Sequence, residues 1–156
     1  MVIAERTSEI VLSDYLSPDL ITFLDVDSRK MALLEMHQLL ISHKFVADSS
    51  DFIDALIKRE EIVSTGIGMG VAIPHAKLDS IDDFFIAIGI SRDHGIEWDS
   101  LDAIPVRLIF MIGGPPDRQD DYLKLLSALT TLIRDEQRRK EMILAKRPQD
   151  IISLLS

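Results

Sequence analysis

Four side chains suited to chemistry on an anion fall in one short stretch of this sequence. Arg59 opens it, Ser64 and Thr65 follow, and His75 closes it, with Gly66, Gly68 and Gly70 in between. Glycine reaches positive φ and lets a backbone approach a ligand closely, so the N–H groups of Ser64-Thr65-Gly66-Ile67-Gly68-Met69-Gly70 are free to converge on an anion. A plain tight connection needs the same glycines, and both readings stand. Arg59 offers a planar fork that matches phosphate oxygens, and the two hydroxyls can donate to the same group. Helix-end complementarity and loop capping account for these residues without any ligand. Pro74 fixes φ just before His75 and stiffens the main chain that bears the imidazole. With an ordinary pKa of about 6.5, that ring is mainly neutral near pH 7, and neutral imidazole is a nucleophile. A hydrogen-bonded structural histidine is the plainer alternative.

Several other chemistries are excluded. A dinucleotide fingerprint needs a strand before its glycines and a helix after them, whereas here a charged helix end precedes and an extended Val-Ala-Ile-Pro follows. No phosphate-loop lysine is in place. His37 and His43 belong to a helix or its end, and His94 lies in the turn Arg92-Asp93-His94-Gly95. None of the histidines has metal-ligand spacing, so no metal is expected. With no cysteine, disulfides and thiolate catalysis are absent. A net charge of -9 argues against nucleic acid as partner. The longest apolar run, Phe84 to Ile90, is far below the roughly 20 residues that span a bilayer. Residues 1–9 show no apolar leader, which points to a cytoplasmic protein without membrane insertion.

The elements that must position these residues can be placed from the pattern. The chain of 156 residues is 47% hydrophobic and 28% charged, without a linker or repeat, so one domain over residues 1–156 is expected. Ser17-Pro18-Asp19 marks a turn, and Ile21, Phe23 and Val26 suggest a short strand. Asp27-Ser28 can cap a helix from Arg29, with Leu33, Leu34, Met36, Leu39, Leu40 and Ile41 as a broad apolar stripe. Ser49-Ser50-Asp51 starts a second helix through Phe52, Ile53, Leu56 and Ile57, followed by the glycine loop. Phe84 to Ser91 and Val106 to Ile112 are apolar throughout, as strands covered on both faces are, and Gly113-Gly114-Pro115-Pro116 stops the second. A helix carrying Tyr122, Leu125, Leu126, Leu129, Leu132 and Ile133 follows, then one or two short helices within Met142 to Leu155. Helices, strands and helices in this order give an α/β fold, a three-layer α/β/α sandwich around a small mixed sheet.

Arg59-Glu60 with Ser64 to His75 resembles the signature of the bacterial phosphotransferase-system (PTS) enzyme IIA domain, fructose/mannitol type, including its nitrogen-regulatory branch. The resemblance continues in Leu16-Ser17-Pro18-Asp19-Leu20, in Gly95-Ile96, Trp98, Asp102 and Pro105-Val106, and in Leu123-Lys124-Leu125-Leu126. It implies a three-layer fold and a phosphoryl carrier. On that reading His75 accepts a phosphoryl group from the phosphocarrier HPr or a nitrogen-type HPr. The group then passes to an EIIB cysteine, or its presence signals to a regulatory target. Arg59, Ser64, Thr65 and the amides around Gly66, Gly68 and Gly70 would hold the added charge of about -1.5 to -2, with no cofactor. An apolar collar of Ile67, Met69 and Ile73 would receive the protein partner. Two positions depart from the family: Met69 stands where asparagine is common, and Tyr122 stands near the place of a second histidine. The tyrosine motivates an alternative, an EIIA-fold binding module that has lost transfer. A hydrolase is disfavoured, for want of a nucleophile elbow. The absence of an attached IIB or IIC segment leans the reading towards regulation.

Overall fold

Alternation along two strands decides the layering. Every residue of β5 (Phe85–Ser91) and β6 (Leu108–Gly114) is buried, and successive side chains on a strand point to opposite faces. Ile86, Ile88, Ile90, Leu108, Phe110 and Ile112 join one apolar cluster. Phe85, Ala87, Ile109 and Met111 join another on the opposite face. A sheet that divides two cores requires helices on both sides. The computed structural model, which describes residues 10–156, shows them on both sides; the leader expected to be absent at residues 1–9 lies outside the described residues. Against the second cluster lie α1 (Arg29–Ser42) and α2 (Asp51–Ile62), through Leu33, Met36, Leu40, Phe52, Ile53 and Leu56. The first is covered by α3 (Gln119–Ile133), α4 (Glu136–Leu144) and α5 (Pro148–Leu154), through Leu125, Leu129, Ile133, Met142 and Ile151. This is the α/β/α sandwich the sequence implies.

The sheet is mixed. β1 (Ile21–Leu24) runs parallel to β5, β5 antiparallel to β6, and β3 (Val71–Ala72) and β4 (His75–Lys77) parallel to β6; β2 (Gly66–Gly68) pairs antiparallel with β3. Val71 faces Leu108, Ala72 faces Ile109 and His75 faces Ile112, so one register carries the chain past Ile73-Pro74. Proline has no N–H to give, but its carbonyl accepts from the Ile112 N–H at 2.9 Å, which ties the turn to β6.

Local signals explain most element ends. The Ser28 hydroxyl accepts from the Met31 N–H at 3.2 Å and caps α1. The expected α1 stripe is narrower than its apolar residues suggest: Leu34 is exposed, while Ala32, Leu33, Met36, His37 and Leu40 are buried. The helix α4 begins at Glu136, ahead of the apolar residues that marked it, because the Asp135 carboxylate caps it through the Gln137 N–H at 3.1 Å. β6 continues through Gly113 and Gly114 instead of stopping there. A Cβ at either position would run into the Phe85 or Phe84 ring, so these glycines admit a close approach within the strand. The glycine stretch after α2 is a tight hairpin of β2 and β3 rather than an open loop. Gly68 and Gly70 take positive φ there, and Met69 joins them at 62°, a conformation that disfavours a long side chain. The Asp102 carboxylate holds the turn by accepting from the Met69 N–H at 2.8 Å and the Ile104 N–H at 3.1 Å. Those two bonds keep its pKa below the ordinary carboxylate range.

His37 on α1 stacks on Phe52 with ring centroids 6.2 Å apart, and its buried Nε2 has no hydrogen-bond partner among the described residues. Burial lowers its pKa, against the opposing pull of Asp54 and Asp48. The folded pKa lies below the unfolded value of about 6.5, so the native state binds fewer protons. The stability gained from keeping this ring neutral is present above about pH 6.5 and drains away as pH falls through the lower folded value. Calorimetry between about pH 7.5 and about pH 5.5 should therefore show Tm falling more steeply in the wild type than in His37→Phe. Equal slopes would assign the acid sensitivity elsewhere.

Candidate functional site

The short strand β4 sets His75 and Lys77 on one face and buries Ala76 on the other. The ring of His75 turns back on its own chain, with Nδ1 3.1 Å from the Ile73 carbonyl oxygen. A carbonyl only accepts, so Nδ1 carries the proton and Nε2 keeps a free lone pair. Burial lowers the His75 pKa; the Ile73 bond works against it, Arg59 and Lys77 lower it further, and Glu60 raises it. Near pH 7 the imidazole is neutral and nucleophilic.

A cavity of about 220 Å³ opens at this ring, lined by Arg59, Ser64, Thr65, Ile67 and Tyr122 among others. Arg59 comes from the last turn of α2, where its Nη1 donates to the Val63 carbonyl at 3.0 Å. The anchored guanidinium leaves its remaining N–H groups for a ligand. Tyr122 comes from the first turns of α3 and lies against His75 with centroids 5.7 Å apart and planes at 40°. Burial raises the pKa of its hydroxyl, so it stays neutral. The Lys77 ammonium sits 3.9 Å above the centre of the Tyr122 ring and donates to the Gln119 side-chain carbonyl.

The two hydroxyls have structural work. Ser64 Oγ donates to the Trp98 carbonyl at 2.8 Å and accepts from the Gly66 N–H at 3.1 Å. Thr65 donates its hydroxyl to the Glu60 carboxylate, and its N–H reaches the other carboxylate oxygen at 3.0 Å. Both residues line the cavity, yet each hydroxyl proton is already given elsewhere. The three glycines do not line it: Gly66 is bonded to Ser64, and Gly68 and Gly70 shape the hairpin turn. Arg59, Ser64, Thr65, His75 and Tyr122 are thus brought together, and Gly66, Gly68 and Gly70 support them from behind.

The sequence reading gave no role to Glu60, beyond its place in the Arg59-Glu60 pair, or to Lys77, and the structure sets both near the ring. Glu60 occupies the position that continues the apolar face of α2 after Phe52, Ile53 and Leu56, and it is buried. A carboxylate on a core-facing stripe is a signal in its own right. Lys77 follows His75 by two residues, which on a strand means the same face.

Likeness to other proteins covers nearly all of this architecture. The family described as "Phosphoenolpyruvate-dependent sugar phosphotransferase system, EIIA 2" matches residues 14–156. The chain belongs to this EIIA family. Within it, the "Nitrogen regulatory protein" of Bradyrhizobium diazoefficiens is 31% identical over 146 residues, 93% of this chain and 94% of that protein. The "PTS system fructose-specific EIIABC component" of Bacillus subtilis is 39% identical over 109 residues, 70% of this chain but only 17% of that longer protein. Among solved structures, the nitrogen regulatory protein IIA-Ntr of Neisseria meningitidis superposes with a TM-score of 0.86 at 26% identity, covering 93% of this chain and 99% of its own. The IIA mannitol structure of Escherichia coli, at 17% identity, a TM-score of 0.76 and coverage of 90% and 98%, shares the EIIA fold. Among the described residues of this EIIA chain, no helix is long and apolar enough to cross a membrane.

Proposed function

We propose that this EIIA chain is a phosphoryl carrier whose acceptor atom is Nε2 of His75. The observation that carries the reading is the hydrogen bond from Nδ1 to the Ile73 carbonyl, which leaves that lone pair open beside Arg59. The donor is a phosphohistidine on HPr or a nitrogen-type HPr. As the His75 Nε2–P bond forms, the donor's N–P bond breaks and its electron pair returns to the donor imidazole. Such a transfer asks for positioning and charge stabilisation, and no cofactor enters it. Arg59 supplies charge to the phosphoryl oxygens, at about 1.5–3 kcal/mol per charge-assisted bond. Lys77, whose charge already reaches His75, adds to the field. Tyr122 walls the ring on one side and shields it from water.

The partner must dock over the cavity, and an apolar rim supports this. Ile67 and Met69 are exposed, as a collar requires, and Ile62 and Val63 extend the exposed apolar surface beyond Arg59. Ile73 belongs instead to the core, because it packs into the cluster beneath β4. Onward use is to an EIIB cysteine or to a regulatory target. Likeness to nitrogen regulatory proteins over 93% of the chain supports the regulatory branch. A structural relative, IIA mannitol of Escherichia coli, was solved with phosphorylated enzyme IIB, which supports an EIIB-type partner.

Incubation with phosphoenolpyruvate, enzyme I and HPr, followed by intact-mass measurement, should add one phosphoryl group that is labile in acid and stable in base. Phosphorus–nitrogen NMR should place it on Nε2. No label from either type of HPr would sink the carrier reading. The second reading, a binding module that has lost transfer, draws on the tyrosine that fills the wall of the cavity, and it would then stand.

A further inference from the structure

Glu60 is a charged side chain buried to the same degree as the core around it. Four donors face it. The Thr65 N–H lies 3.0 Å from Oε2, the Thr65 hydroxyl donates to Oε1, the Trp98 Nε1–H lies 3.3 Å from Oε1, and the Arg29 guanidinium stands 3.5 Å from Oε2. A carboxylate has only lone pairs to offer, so the match is complete, and an amide in its place would turn two N–H groups towards other donors.

From this carboxylate a line of hydrogen bonds runs to the acceptor ring. Thr65, held at both its N–H and its hydroxyl, accepts at its carbonyl from the Ile73 N–H at 3.0 Å. Ile73 in turn accepts at its carbonyl from His75 Nδ1 at 3.1 Å. The same carboxylate sits one residue after Arg59 and anchors the helix end that carries the guanidinium. The neutral ring of free histidine favours its proton on Nε2, which is the atom that must stay bare here. The preference is reversed only while the Ile73 carbonyl stays in place.

We propose, building on the phosphoryl-carrier reading, that Glu60 is a positioning residue for His75. Through Thr65 and Ile73 its carboxylate fixes the Nδ1–H tautomer and the orientation of the ring. Glu60 does not touch the phosphoryl group. By charge alone, neutralising an anion near an incoming dianion would speed acceptance, so a slower Glu60→Gln variant reports geometry rather than electrostatics.

Long-range proton–nitrogen NMR of the full chain reads the tautomer without any phosphoryl donor. In the wild type Nε2 should be the bare nitrogen. Glu60→Gln should show both tautomers, and its phosphorylation by HPr should slow by about tenfold to about a hundredfold. Thr65 makes two bonds to Glu60, one from its N–H and one from its hydroxyl. Thr65→Val loses one of them and should move both readouts in the same direction by less; it serves if Glu60→Gln folds poorly. A folded Glu60→Gln with the wild-type tautomer overturns the proposal, whatever its rate. A tautomer shift in a chain that never accepts phosphoryl would uphold the Glu60 relay and refute the carrier reading alone.

Discussion

His75→Ala should accept no phosphoryl group at all under conditions that label the wild type to completion. Among the described residues His75 carries the only imidazole that lines the cavity: His37 is buried on α1, His43 ends that helix, and His94 is exposed in a turn. None of these combines a fixed Nδ1–H with a neighbouring guanidinium. The variant should fold, because the backbone of β4 keeps its pairing with β6, and deleting the ring costs its contact with Tyr122 and its bond to the Ile73 carbonyl, about 1–2 kcal/mol together. Intact-mass measurement after incubation with enzyme I, HPr and phosphoenolpyruvate reads the outcome. A fully labelled alanine variant would move the site to another histidine.

Arg59→Ala should remain phosphorylatable but slow the single-turnover transfer from phospho-HPr by about a hundredfold to about a thousandfold, the usual cost of removing one preorganised charge donor. The chain is strongly acidic, and the incoming group adds about two negative charges that this guanidinium meets first. Arg59→Lys should recover part of the rate, since it restores charge without the planar fork. A rapid-quench comparison of the three proteins decides the matter. Unchanged transfer in the alanine variant would reduce Arg59 to its bond with the Val63 carbonyl.

The layers of the fold were legible because burial leaves a period in the sequence. β5 and β6 are continuous apolar runs because each face of the sheet has its own core. The stripes on α2 and α3 were readable for the same reason. The hairpin of β2 and β3 was not, since glycine has no side chain to show alternation, and its place in the sheet rests on backbone pairing of β3 with the distant β6. At the site, Arg59 and His75 could be singled out by what their side chains can do. The commitments of Ser64 and Thr65 could not. Ser64 gives its hydroxyl proton to Trp98, 34 residues away, a partner that sequence order does not reveal. Tyr122 could be noticed as a departure from the family, but its tilted contact with His75 and its cover by Lys77 depend on how α3 meets β4.

The pocket takes its guanidinium from the helical layer on one side of the sheet and its tyrosine from the layer on the other. A covalent mark placed at such a seam is visible from two directions. On the carrier reading, a phosphoryl group on His75 would lie within reach both along the end of α2 and along the start of α3.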